Sequence, residues 1–357
     1  MCAGMMSAQQ ATDRTVSSSS GEGETVVFRL LGETKRFHRL GKDKKAARTL
    51  KRYIKRNRQA PYVETLREYS LIYDAFSREK PYQGRRRQGA SFPFTLDTLA
   101  SGEAQAVVMR IDAVLNGRPV RLTFDSGSGI NLLSPALADS LRLKPLGLKV
   151  PFLGEGSGEG ELAMADELRL GGVVFRHVPF VVADVSTGND SIDQSLSHLH
   201  ALLGLPLLEA LGSTEIDFRR HVMTLVEPPV TAEPNLEYDD LANELLVRVR
   251  HHEEELRLIP DFGASHTVLG ADYLLSHQEW IEAYCPKRAI FFAGVNGTTA
   301  CHEYRFEQFD LQVGRLTFTL PSATVVDIPY DNRLGMDFFS RCQRVIFCFQ
   351  NMSLLVY

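Results

Sequence analysis

The chain has 357 residues and a formal net charge of −4, with 44% hydrophobic and 24% charged residues, so it has the composition of a globular protein with room for a sizeable core. That balance excludes nucleic acid or an anionic membrane as a partner recognised by overall charge. The charge is unevenly spread, with a basic first hundred residues and an acidic remainder.

Residues 1–24 are rich in Ser, Gly and Gln, have no periodicity, and read as a disordered tail. Their opening, MCAGMMSAQQ, lacks the charged start and long apolar middle of a signal peptide but ends like one, with small residues before a polar pair. It reads as a signal remnant, which predicts a periplasmic or secreted protein; the other reading is a plain tail on a cytoplasmic one. No apolar run approaches the roughly 18–20 residues that span a bilayer.

Residues 25–95 are expected to form a basic helical region and a linker. After a short apolar patch at Val26–Leu31, half of the positions from Lys35 to Arg58 are Lys or Arg, and Ala47, Leu50 and Ile54 recur at helical spacing. PYVETLREYSLIYDAF, from Pro61, reads as a second helix, and PYQGRRRQGA, from Pro81, as a linker.

From about residue 95 the pattern changes to short β runs. AVVMRIDAVLNGRPVRLTF, from Ala106, is a hairpin around Asn116-Gly117, residues that favour the type I′ turn. Short helices are expected near Pro135–Leu141 and Pro206–Leu211.

An internal repeat organises the remainder. A shift of 136 positions lays VRLTFDSGSGINLL, Val120–Leu133, over LRLIPDFGASHTVL, Leu256–Leu269. Asp125 then falls on Asp261, Gly127 on Gly263 and Ser128 on Ala264. LLGLPLLEALGSTEIDFRRHVMTL, from Leu202, likewise matches RLGMDFFSRCQRVIFCFQNMSLLV, from Arg333, with Gly204 over Gly335. Each half has a glycine hairpin between these blocks: FLGEGSGEGEL from Phe152 and FAGVNGTTACH from Phe292. The boundaries expected are 96–228 for the first half and 229–357 for the second.

Related halves imply a pseudo-two-fold axis, and an axis near the two Asp turns brings Asp125 and Asp261 together. Two carboxyls in contact cannot both ionise easily, so the pair shares a proton and offers one base and one acid. Such a dyad can activate a water for attack on a peptide carbonyl. Gly127 and Gly263 let the two turns approach closely.

On these motifs the chain, over roughly residues 100–357, resembles the aspartic peptidases, and specifically the retropepsin-like family in a fused, two-lobed form. The resemblance implies a mainly β fold: two pseudo-symmetric lobes of the acid-protease β-barrel type with a small helical N-terminal region. It implies aspartic endopeptidase activity on a polypeptide substrate, by a monomer without cofactor, metal, nucleic acid or membrane span. Asp125 and Asp261 take the catalytic positions, supported by Ser126, Gly127, Ser128, Gly263 and Ala264. The glycine hairpins take the place of substrate-covering flaps, at about 152–164 with Gly154, Gly156 and Gly158, and at about 292–302 with Gly294, Asn296 and Gly297. In the family a Thr or Ser after each Asp bonds across the dyad to the opposite loop. Ser126 fits that role and Phe262 does not, which predicts a looser or asymmetric dyad. The alternative reading is a weak or inactive relative that binds peptides or a protein partner in the same cleft.

Competing motifs are poorer. Asp261-Phe262-Gly263 spells the kinase DFG but lacks the accompanying GxGxxG loop and HRD. The glycines after Phe152 lack the GK[ST] of a P-loop. His251-His252 with Glu253–Glu255 reads as a solvated turn rather than a metal site. Among the five cysteines, Cys2, Cys285, Cys301, Cys342 and Cys348, there is no CxxC pair, and one late disulfide stays open. The basic helices have three readings: a solvated charged face, a mask over the cleft released at QGRRRQG, or a nucleic-acid surface.

Overall fold

A computed structural model describes residues 22–357 apart from 86, 102–103, 154–156, 186–189, 230–232, 240–241, 243 and 295–296. The protein is mainly β, with a small helical region at the N-terminus.

Three helices come first: α1 (Glu22–Arg39), α2 (Asp43–Arg56) and α3 (Val63–Glu79). The basic stretch is thus two helices rather than one, broken at Gly41, whose φ of +66° is a left-handed conformation that glycine adopts without strain. The Val26–Leu31 patch belongs to the first of them. The three helices bury Val27, Leu31, Ala46, Leu50, Leu66, Tyr69 and Tyr73 in a core of their own. They are not a free charged surface, because that core also takes in Ile130, Leu132, Val150, Leu162 and Leu202 of the β body.

The expected linker is partly sheet. Its centre is β1 (Gln83–Arg85), and β2 (Ser91–Pro93) follows directly. The first half continues through β3 (Thr95–Ser101), β4 (Ala104–Leu115), β5 (Arg118–Phe124), β6 (Leu132–Leu133), β7 (Lys144–Leu153), β8 (Ser157–Leu170), β9 (Val173–Val182), β10 (Ala201–Leu203), β11 (Thr214–Asp217) and β12 (Val222–Leu225). The second contains β13 (Leu236–Asp239), β14 (Glu244–His251), β15 (Glu254–Pro260), β16 (Val268–Leu269), β17 (Lys287–Gly294), β18 (Gly297–Val313), β19 (Leu316–Val326), β20 (Arg333–Leu334), β21 (Arg344–Cys348) and β22 (Ser353–Val356). Short helices cover Pro135–Ser140 and Leu205–Leu211, close to their expected places.

The strands form a nine-stranded sheet, an eight-stranded sheet and a five-stranded sheet. The predicted hairpin is present, with Leu115 opposite Arg118 and positive φ at both Asn116 and Gly117. The corresponding β14–β15 turn also has two residues, with His251 opposite Glu254. The barrel expectation needs correction: the two large sheets are folded but not closed barrels. Their closing contacts are too short for that, with two residue pairs between β4 and β8 and one between β14 and β18.

In the five-stranded sheet, β11 pairs antiparallel with β21, Thr214 opposite Phe347 and Ile216 opposite Val345. One sheet therefore joins the end of the first half to the end of the second, and one apolar core runs through both.

Candidate active site

Each Asp turn leaves a buried strand and is held by the same local bonds. The Asp125 amide donates to the Leu203 carbonyl and the Asp261 amide to the Leu334 carbonyl, both at 2.9 Å. These bonds continue two parallel strand pairs, β5 with β10 and β15 with β20. Leu205 N–H reaches Ser128 O and Met336 N–H reaches Ala264 O, both at 2.8 Å. Gly204 and Gly335 are required there: a Cβ on Gly204 would sit 2.2 Å from Ile130 O, and one on Gly335 2.5 Å from His266 O. Asn131 Oδ1 accepts the Gly204 amide and Thr267 Oγ1 the Gly335 amide.

The turns fold back onto their own carboxylates. Asp125 Oδ1 accepts N–H bonds from Gly127 (2.9 Å) and Ser128 (3.1 Å). Asp261 Oδ1 accepts them from Gly263 (2.7 Å) and Ala264 (3.1 Å).

The two turns face each other with no room between them. A Cβ on Gly127 would lie 2.4 Å from Asp261 Cγ, and a Cβ on Gly263 would lie 2.4 Å from Asp125 Cγ. The two carboxyls lie close enough to act strongly on each other. The surrounding protein strips water from Asp125 and pushes its carboxyl well above the usual carboxylate range; the neighbouring Asp261 adds to this, while Arg333 and the Gly127 amide pull the other way.

Residues 111–207 match the family model for aspartyl protease. The matched stretch contains the first Asp turn, the first glycine hairpin and the Leu203-Gly204 block, and stops before Asp261. The similarity is to an aspartyl-protease-like domain. No curated protein matches the chain.

Ser126 braces the pair alone. Its buried hydroxyl donates to Pro260 O at 2.6 Å and accepts the Phe262 amide at 3.1 Å, so both bonds land on the opposite loop. Phe262 offers no return bond. It is fully buried instead, with its ring centroid 5.6 Å from Phe124, 4.6 Å from Phe339 and 5.9 Å from Phe347. The second loop has aromatic packing where the resemblance implies a hydroxyl. The two turns thus differ, with a bracing hydroxyl on one side and a packed ring on the other.

Both glycine hairpins form. Phe152 pairs with Gly158 and Leu153 with Ser157 in the first, and Gly294 with Gly297 in the second. Gly154, Gly156 and Asn296 lie outside the described residues.

Two charged residues escaped the sequence reading. Arg333 Nη1 donates to Asp261 Oδ2 at 2.5 Å. Glu244, at the start of β14, is half-buried within the field of Arg333 and Asp331, and its carboxyl is pushed up to about 8, by desolvation first and by Asp331 second. The repeat held the signal for Arg333, which stands in β20 where Leu202 stands in β10.

The remaining candidates fall away from the dyad. His251 and His252 stack at the β14–β15 turn, 4.3 Å between centroids, beside a groove of about 700 Å³ that also has His277 and Trp280 in its wall. Among the described residues no three His, Cys, Asp or Glu side chains gather as a metal site. Cys285, Cys301, Cys342 and Cys348 are buried free thiols, so the late disulfide is absent from them. No helix among the described residues is long and apolar enough to cross a membrane.

Proposed function

We propose that this protein is an aspartic endopeptidase of the retropepsin-like type, with two fused lobes related by a pseudo-two-fold axis. The observation that carries the reading is the reciprocal approach of each turn glycine to the other turn's carboxyl, 2.4 Å from a Cβ position in both directions. It supports a dyad compact enough to share one proton and hold one water. The match of residues 111–207 to the aspartyl protease model supports the same class.

In the reaction the ionised carboxyl takes a proton from water as the oxygen attacks the peptide carbonyl carbon. The protonated carboxyl gives its proton to the carbonyl oxygen, and a gem-diol forms. On collapse the C–N bond breaks. The first carboxyl passes its proton to the leaving nitrogen, and the second recovers one from a diol hydroxyl. The dyad returns to its starting protonation state, and one water is consumed. The substrate is an extended polypeptide beneath the glycine hairpins, whose main chain pairs with strand edges.

A second reading, a cleft that binds without cutting, is favoured by one observation: Ile130, Leu132 and Leu202, which flank the first turn, are already packed under the N-terminal helices. Digestion of an unbiased peptide mixture between pH 4 and 7.5, roughly the range of a shared carboxyl proton, separates the two. Endopeptidase activity is expected, and Asp125→Asn or Asp261→Asn should each lower kcat by about 10²–10⁴-fold, the scale of general acid–base catalysis. Peptide retention by the wild type with no new termini would leave the binding reading in place.

A further inference from the structure

We propose that Arg333 is a positioning residue that makes the dyad unequal, holding the negative charge on Asp261 so that the shared proton rests on Asp125. The inference deepens the endopeptidase reading and rests on it for its catalytic meaning.

The argument is one of donors. Asp261 Oδ1 receives two backbone N–H bonds, and Asp261 Oδ2 receives the Arg333 guanidinium at 2.5 Å. Both oxygens are thus bonded as a carboxylate wants to be, one of them by a group that is always cationic. Asp125 has the same two backbone donors on Oδ1. Among the described residues it forms no ion pair, and the carboxyl it faces is that of Asp261. A proton on Asp125 can be donated across the pair, whereas a proton on Asp261 would neutralise the carboxylate that the guanidinium is paired with and give up that attraction.

The two halves act as each other's control. β10 sets Leu202 opposite Thr123 and Leu203 opposite Phe124, just before Asp125. β20 sets Arg333 opposite Ile259 and Leu334 opposite Pro260, just before Asp261. At one backbone position one half has an apolar side chain and the other a cation, and only the cation reaches its carboxyl. The turns differ in the opposite sense, with Ser128 in the first and Ala264 in the second.

Tyr330, whose ring centroid is 5.0 Å from the Arg333 guanidinium carbon, and Glu244 both act on Arg333 along with Asp261. Glu244 in turn feels Asp331, Asp239 and Lys35. Asp125 feels Asp261 and Arg333. With Glu244 protonated through neutral pH, Arg333 keeps its ion pair with Asp261.

In the endopeptidase cycle the roles follow. Asp261 takes the proton from water, and Asp125 protonates the carbonyl oxygen. The cation also keeps the dyad singly ionised to lower pH than two unassisted carboxyls would manage, because an opposite charge in contact moves a carboxyl by about one to three pH units.

The test uses the full-length chain labelled with ¹³C at the Asp carboxyls, titrated by NMR as wild type, Asp125→Asn, Arg333→Met and Arg333→Gln, beside the pH profile of kcat/KM. In the wild type the dyad carboxyl that keeps its proton longest should be the one lost in Asp125→Asn. In both Arg333 variants the first ionisation of the dyad should move up by about one pH unit or more, carrying the acid limb of kcat/KM with it, and Arg333→Lys should restore part of the change. Unchanged midpoints in the two uncharged variants, or a long-held proton that survives in Asp125→Asn, overturns the assignment. The two readings fail separately: a displaced titration without hydrolysis removes the endopeptidase and keeps the assignment, and hydrolysis with superimposable profiles does the reverse.

Discussion

Glu244 shows what a single carboxyl can cost when its surroundings favour the neutral form. It opens strand β14 opposite Asp239, and its carboxyl is pushed from an ordinary 4.5 up to about 8. Burial is the first cause and the charge of Asp331 the second; Arg333 and Lys35 oppose them without prevailing. Because the folded protein binds this proton more tightly than the unfolded chain, Glu244 supports the fold fully in acid, and that support is lost as pH rises towards about 8. Glutamine has nearly the same shape and no proton to lose. The Tm of Glu244→Gln relative to wild type should therefore rise steadily from pH 5 to pH 9, by the equivalent of a few kcal/mol at most, since each tenfold gain in proton affinity on folding is worth about 1.4 kcal/mol. Thermal melts at four or five pH values read this directly, and a constant difference would show that Glu244 ionises in the folded protein as it does in water.

At the scale of the element, the second Asp turn is held by its ring. Phe262 contacts Phe124 from the strand before the first turn, Phe339 from the helix after Gly335, and Phe347 from β21. It ties three elements together beneath Asp261. Phe262→Ala should cost about 3–5 kcal/mol, as other fully buried Phe truncations do, and denaturant unfolding measures it. Phe262→Thr returns a hydroxyl to the position but empties the same site, so it should lose stability on a similar scale; a variant as stable as wild type would mean that the bracing bond, not the packing, governs this loop. The Asp turns and hairpins were legible in the sequence because turn glycines, two-residue loops and alternating apolar runs are local signals, and the repeat doubled each of them. Arg333 was legible only as a cation where the repeat has Leu202; that it meets Asp261, 72 positions away, depends on strand β20 lying beside β15. The strand at Gln83–Arg85 was hidden for a similar reason. Its residues have little β preference, and pairing with β9 holds them: a Cβ on Gly84 would meet Val174 O at 2.1 Å.

Across the whole molecule the β body is joined from two sides, by the five-stranded sheet and by the N-terminal helices. The helices bear on one half of the site unequally. Leu202 occupies the backbone position from which Arg333 reaches its carboxyl in the other half, so it marks the flank of the dyad beside Asp125. Together with Ile130, Leu132, Val150 of β7 and Leu162 of β8, it is packed against the helical core. Among the described residues, the corresponding cluster of the second half, Val268, Cys301 and Val326, packs against Ile290, Ile328 and Tyr330, none of them from the N-terminal helices. Helix α1 reaches that half through basic residues: the Arg39 guanidinium lies 4.2 Å from the Tyr238 ring, and Lys35 acts on Glu244. Under the proposed function, a peptide beside Asp125 would meet a flank whose apolar residues are already covered by helices. Leu31 and Leu50 are fully buried in the helical core, and replacing each by Ala should weaken it by about 2–5 kcal/mol. The double variant should exchange amide hydrogens faster throughout residues 22–79 while β13–β20 keep their protection, and its kcat/KM for peptides should rise above wild type. If exchange accelerates in the helices and turnover stays where it was, the helices stabilise the first half without standing in the path of substrate.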